Sequence, residues 1–268
     1  MTRRAIGIFI ALFLLLGVAA PRARAADSLL ADVLSRGTLR VAITPGNPPW
    51  CYVDPSGNLV GYDAEIAQAL GKALGVQVQF VRTDTAGRVA QLQAHKADVT
   101  ISTFTPTLDR MKTIAFTDPY SIDGMQVLVR ADSGINTVKD IPKGARIGVG
   151  RGSTLEAAIA KNIPQGKIVE FPGNADIAQA MASQQVDAIA ANNGMITTTY
   201  KNGNGKYKLI PQLMGTEDDA IGLPQGDFTW WLWLNHFVHQ INTDGTNYTL
   251  YEKWFGQAPP DFVTKPTS

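Results

Sequence analysis

Gly124-Met125-Gln126-Val127-Leu128-Val129-Arg130 is where one series of strands and helices ends and a second begins. Met125–Arg130 reads as a long strand, and a loop through Gly134 follows it. Upstream, residues 38–43 and 76–81 read as strands and 98–102 as a short buried strand. Between them, 64–74 and 88–94 carry apolar residues at helical spacing, as in Ile66, Ala69, Leu70 and Ala73, with Gly75 as a stop. Downstream the alternation resumes, with strands at 146–150, 168–171 and 186–191 and helices at 153–162 and 175–183. Residues 201–206 look like an exposed loop, 220–224 like a strand, and 229–241 and 246–255 like helices. Strands separated by helices imply parallel pairing in an α/β layer structure.

The two series meet at 124–130 and again near 219–225, so the first lobe holds both ends of the chain. The expected division places 26–123 and 223–268 in one lobe and 126–218 in the other, with hinges at 124–125 and 219–222. A two-lobed chain of this kind has a cleft between its lobes, a common place for a small ligand.

The N-terminus sets the compartment. Arg3 and Arg4 precede an apolar run from Ala5 to Ala20, and Ala23-Arg24-Ala25 offers small residues for cleavage. This reads as a secretory leader, residues 1–25, and directs the chain to a periplasm. Thr2-Arg3-Arg4 also fits a twin-arginine route, although ordinary leaders carry basic residues there too. The leader takes four of the 24 Lys and Arg and no acid, leaving 20 against 23 Asp and Glu, or about −3. A mild charge without a basic block argues against nucleic acid as a partner. Cys51 is the only cysteine, so no intrachain disulfide forms and stability rests on core packing. His236 and His239 have no cysteine or carboxylate cluster to complete a metal site, and nothing implies a cofactor.

Ser102-Thr103-Phe104-Thr105-Pro106-Thr107-Leu108-Asp109-Arg110 places four hydroxyls and an arginine just after a buried strand. Open α/β sheets bind ligands at the carboxyl ends of their strands. There Arg110 can grip a carboxylate through two parallel hydrogen bonds, with Ser102 or Thr105 donating to the same oxygens. The same residues also fit a helix cap beside a solvated arginine. Gly150-Arg151-Gly152-Ser153-Thr154 again lies between a strand and a helix, where free backbone N–H groups attract an anion. An ordinary capped turn is the alternative.

These stretches resemble a known family, the periplasmic amino-acid-binding proteins of ABC importers (solute-binding protein family 3). The resemblance spans nearly the whole chain after the leader. It rests on Leu39-Arg40-Val41, Gly61-Tyr62-Asp63, Ala97-Asp98-Val99, Thr105-Pro106-Thr107-Leu108-Asp109-Arg110, Phe116-Thr117-Asp118-Pro119-Tyr120, Gly152-Ser153-Thr154, Val186-Asp187-Ala188 and Tyr251-Glu252-Lys253-Trp254-Phe255-Gly256. It implies the two-lobed, type II periplasmic-binding-protein fold, with a mixed sheet flanked by helices in each lobe. It further implies a small amino acid or related carboxylate as ligand, an importer permease as partner, and a monomer.

Carried over by position, the resemblance implies that Arg110 holds the ligand's α-carboxylate. Thr103, Thr105 and, from the second lobe, Thr154 would add hydrogen bonds. Trp50 stands where the family often has an aromatic near the ligand, with core packing an equal reading. Asn192 takes the place of a carboxylate that often meets the ligand ammonium, and Thr44 replaces another acid, so the amine end looks depleted. Asn192 could instead cap a turn. Arg88 resembles an arginine of acidic-amino-acid binders, which tilts the expectation towards an acidic ligand; a surface arginine is the alternative. Asn174 is expected to line the same pocket. Some relatives, the cyclohexadienyl dehydratases, are enzymes with an acid where Glu156 stands here. A lone glutamate at a helix start is weak support for acid–base chemistry, so the chain is expected to be a carrier and not an enzyme.

Overall fold

The computed structural model describes residues 28–265, and the expected leader lies outside them. Helix α1 (Leu29–Arg36) opens the described chain, capped by the Ser28 side chain and ended by Gly37 in the left-handed region. Strand β1 (Thr38–Ile43) is followed by a two-stranded ribbon, β2 (Tyr52–Val53) and β3 (Leu59–Val60), and by helix α2 (Tyr62–Leu74). Then come β4 (Gln77–Arg82), α3 (Gly87–Gln93) and β5 (Val99–Thr100). Strand β6 (Ile114–Arg130) is 17 residues long. The second series is β7 (Arg146–Gly150), α4 (Leu155–Asn162), β8 (Lys167–Phe171), α5 (Asn174–Ala182), β9 (Ala188–Asn192) and α6 (Asn193–Asn202). Strands β10 (Tyr207–Leu209) and β11 (Gly215–Pro224) and helices α7 (Phe228–Thr243) and α8 (Thr246–Phe255) complete it.

The strands form one mixed sheet in the order β4-β1-β5-β11-β6-β9-β7-β8, with β10 beside β6. As the alternation demands, β1 runs parallel to β4 and β5, and β7 runs parallel to β8 and β9. The two parallel sets are joined only through the antiparallel pair β6 and β11. Each set has its own core. Trp50, Tyr62, Ile66, Leu70, Ile221 and Trp230 pack in the first. Val127, Val129, Ile147, Val149 and Ile159 pack in the second, with Leu128, Ile177 and Ile189 on the sheet's other face. The fold is thus α/β and two-lobed. Among the described residues no helix is long and apolar enough to cross a membrane.

The structure differs from the sequence reading at several places. Strand β6 starts at Ile114 rather than Met125, running through Asp118-Pro119, which reads as a break. Pro119 lies where the ladder to β11 shifts register, so its missing N–H falls at a point already irregular. Strand β11 begins at Gly215, five residues before the apolar run, because Thr216–Asp219 pair with Gly124–Ser121 despite their acidity. Gly222 already pairs with Thr100 of β5, so the end of the expected hinge at 219–222 lies inside the first parallel set. Helices α1 and α6 are additional to the expected elements: Leu29, Leu30, Val33 and Leu34 give α1 a clear apolar stripe, and α6 takes in the first two residues of the anticipated 201–206 loop.

Asp98 ties the start of the first lobe together. Its buried carboxylate accepts from the Arg40 backbone N–H (2.7 Å) and from Arg40 Nη2 (2.6 Å), and also pairs with Arg36. These bonds fix β1 against β5, whose next residues are the hydroxyl-rich loop. Asp98→Ala leaves one buried N–H and two partly exposed guanidiniums without that acceptor. A loss of about 2–3 kcal/mol is expected in urea unfolding; a change under about 0.5 kcal/mol would mean the cluster is solvent-compensated.

Candidate ligand site

The parallel strands of both lobes end at a single cavity. The empty space within it, mouth included, is about 570 Å³. From the first lobe come Thr44 and Asn47 after β1, Thr85 and Arg88 at α3, and Ser102, Thr103 and Thr105 after β5. From the second come Gly150, Ser153 and Thr154 between β7 and α4, Asn174 at the start of α5, and Asn192 at the end of β9. Glu217 of β11 adds a carboxylate between the lobes. Sites at strand carboxyl ends follow from parallel topology, because there the loops are free of the sheet and helix N-termini point inward.

The floor of the cavity is a buried polar network. Arg88 is buried, and its guanidinium donates to the carbonyls of Thr85 (Nε, 2.9 Å), Ser102 (Nη1, 2.9 Å) and Thr103 (Nη1, 3.0 Å). It lies 4.6 Å from the centre of the Phe104 ring. Burial, and next the neighbouring Arg110, lower its pKa to about 9, which still leaves it charged at neutral pH. The buried Asp63 accepts from Tyr120 Oη (2.7 Å) and from the Thr103 N–H (3.1 Å). Thr103 has φ +42°, costly for a β-branched residue. Asp63 and Arg88 hold it from both sides of its peptide unit, its N–H to one and its carbonyl to the other. The Ser102 hydroxyl accepts from the Thr44 N–H (3.0 Å).

Eight of the ten expected site residues line this cavity: Arg88, Ser102, Thr103, Thr105, Ser153, Thr154, Asn174 and Asn192. Arg88 is not on the surface; its Nε and Nη1 donate to three carbonyls, and Nη2 makes no hydrogen bond among the described residues. Asn192 precedes α6, but its side chain makes no capping bond. Asn174 Nδ2 reaches across the cleft to the Gly46 carbonyl (3.3 Å). The hydroxyl oxygens Thr44 Oγ1 and Ser153 Oγ are buried without a protein partner.

Two expected residues lie elsewhere. Trp50 sits in the first core, edge-on to Tyr62 (5.4 Å) and Phe255 (4.8 Å). It still marks the closed cleft, since a Cβ on Gly194 of the second lobe would lie 2.8 Å from Trp50 Cδ1. Arg110 stands beside the cavity. Its Nη1 donates to the Thr105 carbonyl (2.8 Å) and its Nη2 crosses to the Gly152 carbonyl (2.9 Å). Phe104 thus carries two guanidiniums, with Arg110 at 4.9 Å. Glu156 does not line the cavity; its Oε1 accepts from the Gly152 N–H (2.8 Å), closing the loop before α4.

Sequence reading missed Asn47, Thr85 and Glu217. Asn47 and Thr85 follow strands β1 and β4, so strand position was their available signal. Glu217 had none, because only the pairing of β11 with β6 brings it inward.

The sequence profile of the bacterial extracellular solute-binding proteins, family 3, matches residues 39–257. The L-cystine-binding protein TcyJ of Escherichia coli K12 is 29% identical over 232 residues, covering 86% of this chain and 87% of that protein. The crystal structure of the ancestral amino acid-binding protein AncCDT-1, a precursor of cyclohexadienyl dehydratase, superposes with a TM-score of 0.78 at 32% identity. It covers 85% of this chain and all of that one. An ancestral arginine-binding protein bound to glutamine gives a TM-score of 0.77 at 34% identity, covering 83% of this chain and 99% of that one.

Burial raises the Asp63 pKa from 3.8 to about 7, against its two hydrogen-bond donors and Arg88. Between about pH 4 and 7 the folded chain therefore holds a proton that the unfolded chain has lost, and stability falls as pH rises, by up to about 1.4 kcal/mol per pH unit. Asp123, also raised to about 7, adds a fall of the same sign. Asp63→Asn is expected to reduce the drop in urea midpoint between pH 5 and pH 8. An unchanged drop would mean that Asp63 does not titrate in this window.

Proposed function

The chain belongs to the bacterial extracellular solute-binding proteins, family 3, and from that premise we propose that it is the periplasmic receptor of an ABC importer for an amino acid. The observation that carries this reading is the polar cavity at the carboxyl ends of parallel strands from both lobes. Such a ligand binds one lobe first and is enclosed when the other rotates over it. The turning region is inferred at Ser121–Met125 of β6 and Gly215–Asp219 of β11, the stretch that links the two parallel sets. The importer permease would recognise the closed shape. Export through the leader at 1–25 belongs to the same proposal.

Arg110 is proposed as the anchor of the ligand carboxylate. In the closed cleft its Nη2 bonds the neutral Gly152 carbonyl. A carboxylate is a stronger acceptor by roughly a factor of two, so it can take over that donor without moving Arg110 off Phe104. The backbone N–H groups at the start of α4, beside Ser153 and Thr154, favour the same charge from the second lobe. Arg88 commits Nε and Nη1 to three carbonyls, so an acidic side chain could draw only on its Nη2. Glutamine, bound in one of the similar structures, has an uncharged side chain; cystine, named for another similar protein, carries a second carboxylate and ammonium at its far end. A carrier role is supported over a dehydratase role by Glu156, whose carboxylate bonds the Gly152 N–H outside the cavity.

A thermal-shift screen of the twenty L-amino acids and L-cystine tests this. A ligand at 100 times its Kd adds about 2.7 kcal/mol, which moves Tm by about 5–10 °C for a chain of this size. At least one amino acid is expected to do so, and Arg110→Ala is expected to lose the shift. If none shifts the wild-type Tm, the amino-acid reading fails.

A further inference from the structure

The structure assigns Glu217 as the residue that binds the ligand's α-ammonium, an inference that rests on the amino-acid reading above. Among the residues lining the cavity Glu217 is the only carboxylate, and Arg88 is the only cation. The remaining polar walls are hydroxyls and amides, which can accept from an ammonium but bring no charge to it. Glu217 is half-buried, and its Oε2 accepts from Thr105 Oγ1 (3.2 Å). Among the described residues it forms no ion pair. Arg88 and Arg110 both sense its charge, yet each donates to backbone carbonyls instead. A partly buried carboxylate with spare acceptor capacity calls for a cationic donor.

The position on β11 gives the assignment its consequence. Glu217 stands directly opposite Asp123 of β6 in the ladder that joins the lobes. Like charges facing each other across a strand pair are destabilising. Burial, followed among other causes by the charges of Asp63 and Glu217, holds the Asp123 carboxyl up at about 7, with Oδ2 unpartnered. An ammonium seated on Glu217 offsets that repulsion at the strands about which the lobes turn. The recognised class is therefore the zwitterionic α-amino acid, with its carboxylate towards Arg110 and the start of α4 and its ammonium towards the hinge. Asn192, which lines the same cavity, completes the ammonium shell as a neutral acceptor.

Glu217→Gln tests this, because the amide keeps an oxygen for Thr105 Oγ1 and removes only the charge. Each L-amino acid that shifts the wild-type full chain, together with the same acid lacking its α-amino group, is titrated calorimetrically into both proteins. The variant is expected to lose about 30-fold in affinity for the amino acid, the worth of one charged hydrogen bond, and to bind the des-amino acid within about threefold of wild type. A urea midpoint checks that it folds, and Asn192→Asp in the Glu217→Gln background is expected to recover part of the loss. Amino-acid affinity within threefold of wild type in Glu217→Gln overturns the assignment while leaving the amino-acid reading intact. Absence of any amino-acid binding by the wild type removes the reading and the assignment together.

Discussion

Two strands, β6 and β11, are shared by both halves of the sheet, and their pairing constrains everything built around them. The two parallel sets run in opposite senses, and the antiparallel pair β6 and β11 lies between them. β6 meets β11 along the first lobe and through the crossing, then turns its other edge to β9 in the second lobe. The carboxyl ends of β1, β5, β7 and β9 consequently converge on one space. Each lobe has enough buried apolar surface for its own core, so the lobes need share little besides these strands. Hydrogen bonds across the cleft include Arg110 to Gly152, Asn174 to Gly46 and Thr198 to Pro48. Bonds of this kind exchange readily with water, which suits a cleft that must open.

The cavity's floor shows how charge is held in an apolar setting. Arg88 and Asp63 are both buried, and neither forms an ion pair with the other. Each instead fixes the backbone of the loop after β5. Two carbonyls of that loop bind the guanidinium, and the Thr103 N–H binds the carboxyl, which keeps Thr103 in a left-handed conformation. The loop is thereby rigid before any ligand arrives, and less entropy is lost on binding. The same burial raises the pKa values of Asp63 and Asp123 to about 7. These groups carry less than full negative charge at neutral pH, and neither lines the cavity, where Glu217 is the one lining carboxylate.

Sequence patterns made the parallel units legible, because a buried strand and an amphipathic helix each leave a period in the apolar residues. That is why β1, α2, β7, α7 and α8 fall near their expected places. The crossing strands were only half legible. Asp118-Pro119 and Thr216–Asp219 look like turn or surface, and tertiary pairing overrides that local signal. The hydroxyl-rich loop was identified from its place after a buried strand. The role of Arg88 could not be read, because whether an arginine on a short helix faces water or the cavity depends on what packs over it. Trp50 was balanced between ligand and core, and packing against Tyr62 and Phe255 decides for the core. Glu217 was invisible for the same reason as β11. An acidic residue in an acidic run acquires meaning only from the strand opposite.

The central claim is that a ligand is captured between lobes that turn about β6 and β11. Small-angle X-ray scattering of the full chain, with and without a saturating amino acid, tests it most directly. The radius of gyration is expected to be smaller in the presence of the amino acid. An unchanged radius, at a concentration where calorimetry shows the site filled, would contradict it.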